Sequence, residues 1–361
     1  MSRTVYLHVG APKTGTTYLQ DRLALNAATL AEHGVHVPAR NRLVSPALSH
    51  FRAALDLLGQ DWGGAPGHAR GSWNALMRRV SRLEGTVVIS HEILAPAAPE
   101  VVARVRADLA AMGDTELHVV YSARDLGRQL PAAWQESIKQ GRRWSYRRYL
   151  RKVQQGKPWF ARAFDLPSVL ETWGEGLPRE HVHVVTVPHE RGDELWHRFC
   201  RAFGIDPAWA PRESRRTNPS LGVAETVMLR HLNRRIDRVT RREAAFDQLL
   251  RDMLAQDQLV NRRSRPLLLP PRLHPWAVER AEAWIEWLAQ SGVDVVGDPA
   301  DLLPGPRATR RAYVDPDAVG PRPQLAAALD ALAAMTHEAA RRPDPTDRLV
   351  VKARDRLLRR D

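Results

Sequence analysis

A valine-rich run at residues 5–9 passes without a break into Gly10-Ala11-Pro12-Lys13-Thr14-Gly15-Thr16-Thr17-Tyr18-Leu19-Gln20, where a helical spacing of apolar residues begins. No other feature of the chain limits its possible folds so strongly. A strand that feeds a helix through a tight glycine loop has to bury that helix against a sheet. The same loop turns the free backbone N–H groups of the helix start toward a single point, where an anion can sit. Gly10 and Gly15 open backbone conformations closed to other residues. Thr16 and Thr17 add hydroxyl donors, and Lys13 places a point charge inside the loop. This is not a Walker A loop, which needs lysine directly after the second glycine and then Ser or Thr for magnesium. Here Thr16 holds that place and Lys13 precedes Gly15 by two residues. An ordinary P-loop ATPase or kinase is therefore not expected.

Three further short runs, 86–90, 117–122 and 182–187, are also rich in valine and bounded by Gly, Pro or charge, and they read as strands. Helical spacing fills the gaps. Residues 17–33 carry Leu19, Leu23 and Leu30 on one side and stop at Gly34, while 193–203 start at Asp193 as N-cap, space Leu195, Phe199 and Phe203 along one face, and end at Gly204. Strands alternating with helices predict a three-layer α/β/α fold around a parallel sheet. Ligands in such sheets bind beyond the carboxyl ends of the strands, so chemistry is to be sought in whatever follows each strand. Residues 224–260 read as a charged helical region. From about 299 the texture changes: Pro and Arg cluster at 304–311 and 316–323, an Ala-rich helical segment covers 325–341, and the last twenty residues are charged. The expected organisation is an α/β domain over 1–298, its motifs within 1–220 and its remainder mainly helical, followed by a linker and helical tail over 299–361.

Lys and Arg number 54 against 41 Asp and Glu, a net charge of +13. Such a balance favours anionic partners such as nucleic acid, phosphate or sulfate esters and acidic sugars. Only five of the cations are lysines, so a general arginine habit explains the total equally well. The single cysteine, Cys200, excludes an internal disulfide and any multi-cysteine metal site. No run of about 18 apolar residues is present, so no membrane span is expected. The first apolar run ends at Val9, too soon for a secretory signal, and a cytoplasmic protein is the expectation.

Pro12-Lys13-Thr14-Gly15-Thr16-Thr17 after a strand resembles the 5′-phosphosulfate loop of sulfotransferases, bacterial types included, that use 3′-phosphoadenosine 5′-phosphosulfate (PAPS). The resemblance implies that Lys13, Thr14, Gly15, Thr16, Thr17 and Tyr18 hold the 5′-phosphosulfate through backbone N–H groups, and that Lys13 assists the leaving group. That family carries a second signature after a later strand: Arg-Asp-Pro, then Arg, then a Ser eight positions after the first Arg. Arg124 and Asp125 match, Leu126 replaces the proline, Arg128 comes one position early, and Ala132 stands where the serine belongs. Arg124 is thereby implied on the cofactor's 3′-phosphate, without the serine's hydrogen bond. Asp125 is expected to cap the following helix, where Trp134 reads as core.

His91 and Glu92 follow the run at 86–90, and either could remove an acceptor proton. Glu92 resembles the glutamate base of many carbohydrate sulfotransferases, and other branches use a histidine. Neighbours on an extended segment point to opposite sides, so only one is expected to face substrate, and Glu92 is favoured. The plain structural alternative has Glu92 capping the next turn and His91 packing. Residues 216–222 resemble a late polar loop that closes over the 3′-phosphate, although Asn, Pro, Ser and Gly also simply make turns. Arg142, Arg143, Arg147, Arg148, Arg151 and Lys152, interleaved with Trp144, Tyr146 and Tyr149, suit an acidic acceptor or nucleic acid, or merely a solvated helix face.

The expected reaction is sulfuryl transfer from PAPS to a hydroxyl or amine of a small-molecule or carbohydrate acceptor, releasing adenosine 3′,5′-bisphosphate, with no metal implied. Acceptor walls are expected from residues 36–80, with His50, Trp62 and Trp73, and from 140–175. Two other readings stay open. One is an atypical magnesium-dependent phosphotransferase, with Asp125 as its obvious carboxylate. The other is a non-catalytic nucleic-acid-binding protein, which leaves the loop unexplained.

Overall fold

β1 (Arg3–Gly10) alternates Val5, Leu7 and Val9 on one face with Tyr6 and His8 on the other, and all but Tyr6 are buried. Both faces of such a strand need a cover, and the chain supplies helices for each. In the computed structural model, residues 2–342 are described apart from 41–43, 191, 215–219, 238, 241–245, 247–248, 251–252, 255–257, 263 and 310–311. After β1 come α1 (Thr16–Leu25), α2 (Ala27–Glu32), β2 (Val35–His36), α3 (Pro46–Leu57), α4 (Ser72–Val80), β3 (Gly85–Ser90), α5 (Pro99–Ala110) and β4 (Thr115–Ala123). Then follow α6 (Leu126–Lys139), α7 (Tyr146–Gln154), α8 (Trp159–Phe164), α9 (Leu166–Gly174), β5 (Val182–Thr186), α10 (Glu194–Phe203), α11 (Val223–Arg235), α12 (His274–Ser291), β6 (Asp294–Val296) and α13 (Pro321–Arg341).

The sheet is wholly parallel, in the order β2-β3-β1-β4-β5-β6. The chain builds outward from β1 in both directions, so β1, β3 and β4 meet at the switch point where such sheets open a crevice at their carboxyl ends. On one face Val5, Leu7, Val87, Ile89, Val119 and Tyr121 pack with residues of α3 to α9, α11 and α12. On the other, Val88, Val120 and Val185 meet Leu19 and Leu23 of α1 and Trp196, Phe199 and Phe203 of α10. This is the expected three-layer α/β/α arrangement. Trp134 is fully buried, as read.

Two local expectations fail for identifiable reasons. The helix expected over 17–33 breaks at Asn26, whose amide donates to Arg22 O and Arg212 O at 2.8 Å while its Oδ1 accepts from Arg212 N–H at 2.9 Å. A side chain stitched to a strand of chain so far away ends α1 and starts α2. Asp193 stands at the N-cap of α10 but makes no capping hydrogen bond; its carboxylate pairs with Arg22 at 3.2 Å instead.

Beyond residue 298 carboxylates tie the chain to the body, Asp301 and Asp317 among them. Asp301 pairs with Arg198 and accepts from Thr186 Oγ1 at 3.1 Å. Asp317 accepts from the backbone N–H groups of Tyr146 and Arg147 at 3.1 and 2.8 Å and pairs with buried Arg230 at 3.3 Å. α13 packs along α11. The charged run at 343–361 lies outside the described residues.

Candidate active site

The loop between β1 and α1 is held from below by a buried polar stack. His8 bonds Ser90 Oγ at 2.8 Å and Ser122 Oγ at 3.1 Å, and Ser122 donates to Gly10 O at 2.9 Å. Thr14 turns inward, its hydroxyl 2.5 Å from both Ala11 O and Ser122 Oγ. Thr14 therefore builds the loop, and only its backbone is left for a ligand. Gly10 has φ +147°, and a Cβ there would lie 2.8 Å from Ala95 Cβ and 3.3 Å from Glu92 O. Only glycine lets the end of β1 rest against the turn that carries Glu92.

Gly15, at φ +92°, begins α1 with no side-chain cap. The first-turn N–H groups of that helix, at Thr16, Thr17 and Tyr18, have no carbonyl four residues back to accept from within the helix. The loop thus keeps the anion-binding form that its sequence suggests. Lys13 is the only described residue besides glycine with positive φ, at 69°. A lysine held in the left-handed region is strained by roughly 1–2 kcal/mol, which points to a demand on where its side chain goes. Its Nζ sits 2.7 Å from Glu136 Oε2 on α6. Thr16 is buried, Thr17 borders the cleft, and the Tyr18 hydroxyl faces Arg22 and Asp193, away from it.

Arg124 follows β4 and braces the loop: Nη1 donates to Lys13 O at 2.9 Å. Its Nε is buried and has no partner. Burial, with the charge of Arg128 added, lowers its pKa to about 10. An anion at this point would satisfy both the orphaned donor and the charge. Arg128 is not available for that task, since it pairs with Asp125 and donates to the carbonyls of Pro188 at 3.0 Å and Val187 at 3.2 Å. Asp125 caps α6 through Arg128 N–H at 2.9 Å, as expected. Of the late loop at 216–222, positions 216–219 lie outside the described residues.

His91 and Glu92 both border the cleft, against the expectation that only one would. The reason is local: a 3-10 turn, Glu92–Leu94, begins at once, so the pair is not on an extended segment. Their chemistry differs. His91 caps that turn, Nδ1 accepting from Ile93 N–H at 3.3 Å, and its ring leans on Phe51. Burial holds its pKa below the ordinary histidine value. A neutral His91 with Nδ1 so used carries its proton on Nε2, and is a donor there rather than a base. Glu92 Oε2 accepts from Gln20 Nε2 at 3.2 Å. Burial alone pushes this carboxyl up, but the charge of His91 when that ring is protonated, its own backbone N–H and Lys13 overturn that and hold it below the ordinary glutamate value.

Loop and carboxylates form the floor of a cleft of about 1950 Å³, roughly twice the upper size of a usual single-ligand pocket. Its walls come from the two segments expected: Phe51 and Trp62 on one side, Arg142, Arg143, Trp144, Lys157 and Trp159 on the other. Two residues expected there are elsewhere. His50 is buried beneath β3, with Nε2 on Pro38 O at 2.8 Å, and Trp73 is core, its Nε1 donating to Asp108 at 2.7 Å. Glu136 carries no signal in the sequence, because nothing local links it to Lys13, 123 residues earlier. Among the described residues no helix is long and apolar enough to cross a membrane. Compared with protein-family models, curated proteins and solved structures, the chain matches none significantly.

Proposed function

We propose that this protein is a sulfotransferase that takes a sulfuryl group from PAPS and passes it to a hydroxyl or amine bound in the cleft. One observation carries the reading: an uncapped phosphate-type loop with a strained lysine, and an ionised glutamate brought against it by Gly10, meet where the neighbouring strands β1 and β3 end. The orphaned Arg124 Nε behind the loop is the right chemistry for a second anionic group of the same nucleotide.

The roles follow from the geometry. The N–H groups at the start of α1, with Lys13, would hold the 5′-phosphosulfate, and Arg124 the 3′-phosphate. PAPS, when bound, supplies an activated sulfuryl group on a good leaving phosphate. Lys13 stands where negative charge has to be stabilised. Glu92 is ionised at neutral pH and oriented by Gln20, so it can take the acceptor's proton. Aromatic side chains on both walls and cationic ones on the wall from 142–159 would orient the acceptor. A magnesium-dependent phosphotransferase is less well supported, because Asp125 is fully buried and committed to Arg128.

The test is calorimetric titration with adenosine 3′,5′-bisphosphate and with ATP, with and without magnesium, on wild type and Lys13→Ala. The expected result is metal-independent binding of the bisphosphate, weak binding of ATP, and loss of at least tenfold in Lys13→Ala. Absence of bisphosphate binding, or ATP binding that needs magnesium, overturns the reading.

A further inference from the structure

A second group of titratable side chains lies far from the loop. Glu116 and His118 stand two apart on β4, and His181, the last residue of the turn that leads into β5, stands two before His183 on that strand. Side chains two apart on a strand share a face. β4 and β5 are parallel neighbours, with Val119 opposite Val182 and Val120 opposite His183. That register sets the two pairs side by side. His118 and His181 stack with ring centroids 4.1 Å apart. Their Nε2 atoms both approach Glu116 Oε1, at 3.3 Å and 3.0 Å.

One nitrogen of each of His118 and His181 and a carboxylate oxygen of Glu116 lie within 4.8 Å of one another. Behind them, His183 Nδ1 is hydrogen-bonded to Asp294 on β6 at 2.7 Å, and His183 Nε2 to His118 Nδ1 at 2.8 Å. With its Nδ1 so used, His118 has Nε2 left for the side of Glu116. Two imidazoles and a carboxylate brought this close are a donor set for a metal ion. Bonds of about 2.0–2.1 Å in tetrahedral array put neighbouring donor atoms about 3.3 Å apart, and the two measured separations are 3.3 and 3.0 Å. The chain from Asp294 through His183 to His118 is the outer support that orients a metal-binding imidazole.

We propose that His118, His181 and Glu116 bind one zinc-class dication through Nε2, Nε2 and Oε1, with His183 and Asp294 as supporting residues. Three protein ligands leave one position for water. The site ties β4 to β5. Along β4, His118 precedes Arg124 by six residues, about 20 Å of strand, so the ion serves the sheet and not the phosphate loop.

The experiment uses the full chain, freed of metal by chelation and carrying no histidine tag. Zinc is titrated in competition with a chromophoric chelator, and cobalt(II) is followed by its visible absorption. One equivalent of zinc should bind, with the intense cobalt spectrum of a four-coordinate site and a rise in Tm. His181→Ala and the exposed Glu116→Gln should each weaken binding at least tenfold and abolish the Tm rise, with an unchanged Tm in chelator. His183→Asn touches no ligand atom and should weaken binding roughly 10–100-fold. Absence of a stoichiometric site, or zinc binding indifferent to His181→Ala and Glu116→Gln, overturns the proposal.

Discussion

Glu136→Gln should tighten the binding of adenosine 3′,5′-bisphosphate by roughly tenfold. Lys13 Nζ and Glu136 Oε2 are 2.7 Å apart, with side chains 27% and 11% exposed. A phosphate oxygen that takes a similar contact on the other side of the ammonium lies about 5.5 Å from the carboxylate, where two unit charges repel by about 3 kcal/mol at an effective dielectric of 20. The cleft is open to water, and screening removes about half of that. The remaining 1–2 kcal/mol, roughly, is a factor of about ten in Kd. The attraction of Lys13 for Glu136 does not add to the total, because the ammonium exchanges one anionic partner for another. Calorimetry at low and high salt reads the effect, which should shrink as salt rises. In a Lys13→Ala background the same change should still help, since the repulsion then lacks its intervening cation. Unchanged or weaker binding in Glu136→Gln would refute the reasoning and make Glu136 the group that positions Lys13 for its ligand.

Three further outcomes are expected. Glu92→Gln should lower kcat by at least a hundredfold while His91→Gln, which keeps a donor, should lower it far less; the opposite ranking in a steady-state assay would move the base to His91. Stability should fall as pH drops from 6.5 toward 4. His8 and His50 are buried neutral, with pKa lowered from 6.5 to about 4 by burial, so the unfolded chain binds more protons across that window, and each contributes about 3 kcal/mol that is lost on acidification. A denaturant midpoint that stays flat over that window would contradict this. Asp317→Ala removes the acceptor of two α7 N–H groups and the partner of buried Arg230, and should cost about 3 kcal/mol, read as a lower denaturant midpoint at unchanged slope.

What could be read in the sequence was local. Four strands were legible because a parallel strand buried on both faces is a short valine run, and β1, β3, β4 and β5 are such runs. β2 and β6, of two and three residues, are too short for any period to show. The loop, Arg124 and the His91-Glu92 pair stand out in the sequence because each follows its strand directly. Lys13's partner, the break at Asn26 and the anchoring of the chain beyond 298 escaped, because each rests on a contact made across more than a hundred residues.

The histidine cluster shows where that boundary falls. Glu-x-His at 116–118 and His-x-His at 181–183 are in plain view, and two-residue spacing is what puts paired ligands on one face of a strand. Each pair, however, straddles the expected strand start, so Glu116 and His181 read as flanking residues. More decisively, valine runs say that strands exist and nothing about which ones touch. β1 pairs with β3 and β4 and never with β2, so sequence order is a poor guide to neighbours in this sheet. That β4 lies beside β5, with Val119 against Val182, is a property of the assembled sheet. Two unremarkable pairs 65 residues apart become a donor set only through that register. A shift of one residue in either strand would turn its pair to the opposite, apolar face and dissolve the cluster.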